Sequence, residues 1–105
     1  MQETGIFVDL SGASGASYRF RAWPEGGQAP IAGNFAVVEM KDGKLAVRLI
    51  GVTNDLSRCN VNASAAGLDD KSLFVRLNVA RLTRRQEYED LVAHYAPAHT
   101  IEVAD

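Results

Sequence analysis

The side chains best suited to chemistry in this chain are few and scattered. One thiol, Cys59, stands beside Arg58 at the predicted start of a helix. The positive end of a helix dipole and a neighbouring guanidinium both favour a thiolate. No second cysteine or adjacent histidine completes a redox or hydrolytic pair, so a half-buried, inert thiol is expected. A lone cysteine also excludes an internal disulfide and a cysteine-based metal cage. His94 and His99 are too few for a zinc site without carboxylate help, and solvated rings near a helix end are expected. Gly12-Ala13-Ser14-Gly15 is rich in glycine but lacks the lysine of a P-loop, and a plain hairpin loop is expected there. No metal, cofactor or catalytic residue is expected from these features.

Arg76, Arg81, Arg84 and Arg85 form the densest basic group. Arg84 and Arg85 fall at a predicted helix start, where the dipole disfavours positive charge. Such a placement suggests a use, such as meeting phosphate or an acidic partner. The simpler expectation is a solvated face paired with Glu87, Glu89 and Asp90. Arg19 and Arg21 share one face of a predicted strand and could add to the group. Tyr18 and Trp23 alternate with these arginines and are expected in the core rather than exposed for base stacking.

The 105 residues are 47% hydrophobic and 23% charged, the balance of a soluble globular domain. No apolar run approaches the roughly 18 to 20 residues of a membrane span. The start, Met1-Gln2-Glu3-Thr4, lacks the basic and apolar regions of a signal peptide, so a cytoplasmic location and no membrane contact are expected. The net charge of −2 offers no global attraction for nucleic acid. A protein partner or a small ligand is expected ahead of it.

The elements that must position these residues follow from periodicity and punctuation. Gly5 to Leu10 and Tyr18 to Trp23 are predicted strands joined by the small residues Ser11 to Ser17. Pro24 to Pro30 ends the second strand. Phe35 to Met40 and Lys44 to Val52 are predicted strands around Asp42-Gly43, a strong hairpin signal. Asn54 or Asp55 is a suitable N-cap for a weak helix from about Leu56, ended by Gly67. Leu73 to Val79 is another predicted strand. Thr83 and Gln86 fit a capping box for a final helix, on which Tyr88, Leu91, Val92 and Tyr95 share one face and Pro97 is the stop. Ile101 to Val103 is expected as a short edge strand or a trailing end. The expected fold is one α+β domain with a mostly antiparallel sheet of about five strands. Residues 1–30 form an N-terminal hairpin extension, and residues 31–100 the core.

Gly33-Asn34-Phe35, Leu49-Ile50-Gly51 and Thr53-Asn54-Asp55-Leu56-Ser57-Arg58-Cys59 are similar to the two halves of the GIY-YIG domain and the stretch leading into its first helix. Glu89 to Pro97 resembles that family's closing helix. The resemblance spans about two-thirds of the chain and rests on order and spacing. Family members cut phosphodiesters with tyrosines, an arginine and a metal-binding glutamate, and an asparagine helps order the site. Here the first tyrosine position is Phe35, which lacks the hydroxyl. The second is Leu49, the arginine position is Cys59, the glutamate position is Tyr88 and the asparagine position is Thr100. The resemblance therefore implies a pseudo-nuclease, a non-catalytic binding module whose degenerate cleft is lined by Phe35, Leu49, Arg58, Cys59 and Tyr88, or which uses the basic helix start. The alternative is a divergent metal-dependent nuclease in which Arg58 and Glu87 or Glu89 take over the lost roles.

Overall fold

Asp42 and Gly43 have φ of 54° and 76°. A two-residue hairpin of type I′ needs positive φ at both central positions, and Asp-Gly supplies them at little steric cost. In the computed structural model of the chain, which describes residues 7–24, 26–68 and 72–103, this turn joins the two longest strands. These are β3 (Gly33–Lys41) and β4 (Lys44–Thr53), paired from Gly33 opposite Thr53 to Lys41 opposite Lys44. The ladder carries one bulge. Val37 faces Leu49 and Val38 faces Val47, so Arg48 is left without a partner.

The N-terminal segments form a second hairpin, β1 (Phe7–Ser11) and β2 (Ser17–Ala22). Gly5 and Ile6, included in the predicted first strand, lie outside the described residues. Strand β5 (Leu73–Leu77) pairs antiparallel with β3 over five residues, and with β2 only at Arg21–Val75 and Ala22–Phe74. The hairpin thus extends the same sheet. A further strand, β6 (His99–Glu102), runs parallel to β4. The described strands form a curled mixed sheet of six in the order β1-β2-β5-β3-β4-β6. That is one strand more than expected, and the parallel edge appears because the chain returns beside β4 after its last helix.

The two α-helices among the described residues begin and end by local chemistry. Asp55 is the cap for a 3-10 turn over Leu56–Arg58, its Oδ1 accepting from the Ser57 amide at 3.0 Å, and α1 (Cys59–Ala65) follows at once. Gly67, at φ 80°, ends that segment as expected. Helix α2 (Arg81–Tyr95) stops where Ala96 turns left-handed at φ 42° ahead of Pro97. Its start departs from expectation. The N-cap is Ala80, without a side-chain bond, so Thr83 lies inside the first turn and no capping box forms. Arg84 instead reaches back to the Val79 carbonyl at 2.8 Å, satisfying backbone ahead of the helix.

Strand side chains alternate between the two faces of the sheet, and each face has its own core. On the α1 side, Leu56, Cys59 and Ala63 pack on Phe35, Val37, Leu49, Leu73 and Val75. On the α2 side, Leu91 packs with Leu10, Phe20, Ala36, Val38 and Ile50, with Tyr88, Val92 and Tyr95 partly buried around it. Tyr18 joins the α2 core, but Trp23 packs against the α1 core. Both aromatics are partly buried, on opposite faces, in keeping with their odd spacing along the chain. Among the described residues no helix is long and apolar enough to cross a membrane.

Candidate functional site

The residues singled out by the family resemblance divide between the two faces. Phe35, Leu49 and Cys59 meet in the α1-side core with no exposed surface. Phe35 stands opposite Gly51 in the ladder, and a Cβ on Gly51 would collide with the Phe35 ring. A Cβ on Gly33 would collide with the Arg76 carbonyl oxygen and lie 2.7 Å from Leu56 Cδ1. The two motif glycines are therefore required by close packing within this chain itself. Tyr88 belongs to the α2-side core, so the sheet stands between it and Cys59. Arg58 is exposed at the end of the 3-10 turn, on the α1 side.

Burial also decides the chemistry of the thiol. Removal from water pushes the Cys59 pKa up to about 12, with Asp55 nearby acting in the same direction and a backbone hydrogen bond opposing. Proximity to a helix start does not produce a thiolate, because desolvation outweighs the dipole of a seven-residue helix.

The basic group is absorbed into a polar network that ties β3, β5 and α2 together. Arg76 Nε donates to Glu87 Oε1 at 2.8 Å, and its guanidinium lies 5.4 Å from the Tyr18 ring centroid. Asn78 Nδ2 donates both to Glu87 Oε1 at 2.9 Å and to Asn34 Oδ1 at 3.0 Å. Asn34, fully buried, donates in turn to the Arg84 carbonyl at 2.9 Å. Arg84 is only 6% exposed, and Arg85 pairs with Glu102 on β6. Arg81 is exposed at the first position of α2 and also has an interaction partner. The unfavourable helix-start position of Arg84 and Arg85 thus has a structural explanation. Of the acidic partners expected for this group, Glu87 fills the role, while Asp90 does something different.

Asp90 clasps the first hairpin. Its carboxylate accepts from the Ser14 amide at 2.8 Å, Ser14 Oγ at 2.6 Å and the Tyr18 hydroxyl at 2.7 Å. The bonds from Ser14 and then Tyr18 hold the carboxyl below its ordinary value, while the bond to Asp90 raises that of Tyr18. Gly12 lies so close that a Cβ would meet the carboxylate. Gly12-Ala13-Ser14-Gly15 is therefore a hairpin loop, as expected, but a loop shaped to seat a helix side chain. Glu89 is exposed nearby, in a shallow polar groove shared with Thr83 and Gln86. The sheet separates Arg58 from Glu87 and Glu89, so the alternative ligand set does not converge. His94 packs edge-on against Tyr95 with centroids 4.6 Å apart. Among the described residues, no three His, Cys, Asp or Glu side chains gather as a metal-holding group.

The surface concavity that sequence reasoning missed lies at the far end of the α2-side core. There the curled sheet leaves a mouth of about 400 Å³ in which Val38, Met40, Leu45 and Phe74 are joined by the polar Glu39 and Ser72. Phe7, Met40 and Leu45 are 53%, 66% and 38% exposed. Glu39 on its rim is paired with Arg48 at 2.6 Å, and the β3–β4 turn beside it carries Lys41 opposite Lys44. The available signal was the apolar alternation of Val38, Met40, Leu45 and Val47, which continues to the hairpin tip. No family model, curated protein or solved structure matches this chain.

Proposed function

We propose that this chain is a non-catalytic binding module, built on a core that resembles the GIY-YIG scaffold and serving a protein segment or small ligand rather than nucleic acid. The observation that carries this reading is the state of Phe35, Leu49 and Cys59. All three are completely buried, and the one reactive group among them has its pKa pushed up to about 12. Such side chains consolidate a core and leave contact to other surfaces. The scaffold itself is supported by the order of hairpin, helix, strand and helix from Gly33 to Pro97 and by the packing need for Gly33 and Gly51. The arginines that would attract a phosphate backbone are engaged by Glu87, Glu102 and main-chain carbonyls.

The test is an NMR titration of the labelled chain with a short DNA duplex and Mg²⁺ or Mn²⁺, with cleavage followed in the same samples. The expected outcome is intact DNA and only such shifts as vanish at physiological salt. Metal-dependent cleavage that Arg58→Ala abolishes would overturn the reading in favour of a divergent nuclease.

A further inference from the structure

We propose that the N-terminal hairpin, residues 7–22, is a strap that opens as one unit, with the Asp90 carboxylate as its latch. The rest of the fold stays assembled when it lifts. The strap is independent of the binding-module reading. Its seam with the sheet is short. Strands β1 and β2 pair along their length, from Phe7–Arg21 to Ser11–Ser17. Strand β2 then meets β5 only at Arg21–Val75 and Ala22–Phe74, whereas β5 pairs with β3 from Gly33–Leu77 to Val37–Leu73. The pivot is Trp23, whose amide donates to the Leu73 carbonyl at 2.8 Å and which packs on the α1-side core. The two cores divide in the same way. Buried members of the α1-side core come from β3, β4, β5, the 3-10 turn and α1, and none from the hairpin. The α2-side core takes Leu10 and Phe20 from it. Lifting the hairpin opens one core and leaves the other complete. Helix α2 stays fastened through Asn34 with the Arg84 carbonyl, Arg76 with Glu87, and Arg85 with Glu102.

The polar ties across the seam converge on one residue. The Asp90 carboxylate accepts from the Ser14 amide at 2.8 Å, Ser14 Oγ at 2.6 Å and the Tyr18 hydroxyl at 2.7 Å. Its main-chain carbonyl accepts from the Ala13 amide at 3.1 Å. Two further ties run from the Ser11 amide to the Tyr95 hydroxyl at 2.9 Å and from Arg76 Nη1 to the Arg19 carbonyl at 3.3 Å. Bonds to an ionised carboxylate are about twice as strong as neutral ones, so Asp90 dominates the set. Gly12 packs so closely on that carboxylate that no side chain would fit between them. Once unlatched, the hairpin does not persist on its own. Two strands alone are marginal in water, so its internal ladder melts together with the seam. The open chain bares the β5 edge that β2 now covers, beside an apolar face of Ala36, Ile50, Phe74 and Leu91. The strap governs access to a surface that the closed chain hides.

The experiment is native-state amide hydrogen exchange on the full chain, followed by NMR at low denaturant. The amides of Val8, Leu10, Tyr18 and Phe20, paired across the hairpin, should share one opening. That opening should be at least about tenfold more frequent than the one that exposes the β3–β4 ladder. Asp90→Ala should speed exchange in the hairpin on the order of tenfold. Asp90→Asn, which keeps the shape and loses the charge, should do the same in smaller measure. Cys59→Ala, in the core that the open chain retains, should speed exchange in β3 and β4 and leave the hairpin unchanged. Equal protection of hairpin and β3–β4 ladder would overturn the proposal. So would Cys59→Ala speeding both alike, because the chain would then open only as a whole. Hairpin exchange indifferent to Asp90→Ala would remove the latch. An Asp90→Asn chain that fails to fold would also refute it, since the rest of the fold is expected to stand without the strap.

Discussion

Replacing Asn34 by leucine should cost far more than its modest change in size suggests. Asn34 is fully buried at the start of β3, donating to the Arg84 carbonyl on α2 and accepting from Asn78 just beyond β5. Leucine has a similar shape but can make neither bond. The two lost bonds are worth about 2 kcal/mol together, at roughly 1 kcal/mol each. The Asn78 hydrogen left without its acceptor adds about 1 kcal/mol more, because that side chain is partly buried and its other hydrogen stays on Glu87. A total near 3 kcal/mol corresponds to a fall in Tm on the order of 15 °C for a domain of this size. Urea unfolding followed by Trp23 fluorescence measures the loss, with an unchanged m-value showing that the fold itself is retained. Asn78→Ala in the same background should add much less than it costs alone, since the two residues share one network. A loss below about 1 kcal/mol for Asn34→Leu, or full additivity of the pair, would refute the idea that this network fastens α2 to the sheet.

Three further outcomes follow from packing and ionisation. Gly51→Ala should destabilise by about 1 to 3 kcal/mol because the new methyl meets the Phe35 ring, and Phe35→Leu should recover part of that loss in denaturant unfolding; a neutral Gly51→Ala would contradict the contact. Asp90 binds its proton less readily in the folded chain than in the unfolded one. Its contribution is therefore complete above about pH 4 and drains away as pH falls through the lower folded value. The stability gap between the chain and Asp90→Asn should close over that acidic interval, and a gap independent of pH would count against the clasp. Cys59 should resist thiol reagents at pH 8, where about one molecule in ten thousand is thiolate, and react once urea unfolds the chain; rapid stoichiometric labelling in native buffer would contradict its burial.

Much of the fold is legible in the sequence because it is encoded locally. Asp42-Gly43 specifies its turn by backbone preference alone, and the spacing of Tyr88, Leu91, Val92 and Tyr95 marks the face that α2 buries. What is not legible depends on partners distant along the chain. The Thr83–Gln86 pattern is a valid capping box in isolation, yet the helix begins at Arg81 because Arg84 bonds the Val79 carbonyl and Asn34 anchors the first turn from β3. The sequence pairs the arginine group with its neighbours Glu87, Glu89 and Asp90, but Arg85 meets Glu102 only after α2 has returned the chain to the sheet edge. For the candidate cleft, periodicity shows that Leu49 and Tyr88 face inward without showing which side of the sheet either helix occupies. Two helices on opposite faces separate residues that a linear motif places together.

The bulge at Arg48 lets β4 carry one residue more than β3 requires while the lip of the mouth keeps its facing. With Arg48 unpaired, Val47 and Leu45 share a face with Val38 and Met40, although Leu49 points to the opposite side with Val37. Deleting that single residue would restore a regular ladder and leave Val47 and Leu45 on the face they already share with Val38 and Met40. Substitutions at 48 should be absorbed easily, because the exposed side chain makes a surface ion pair with Glu39. Deletion of residue 48 should be absorbed too. The bulge takes up one residue of length in β4, so the lip survives a change that an unbulged ladder would pass on to every side chain as far as the turn.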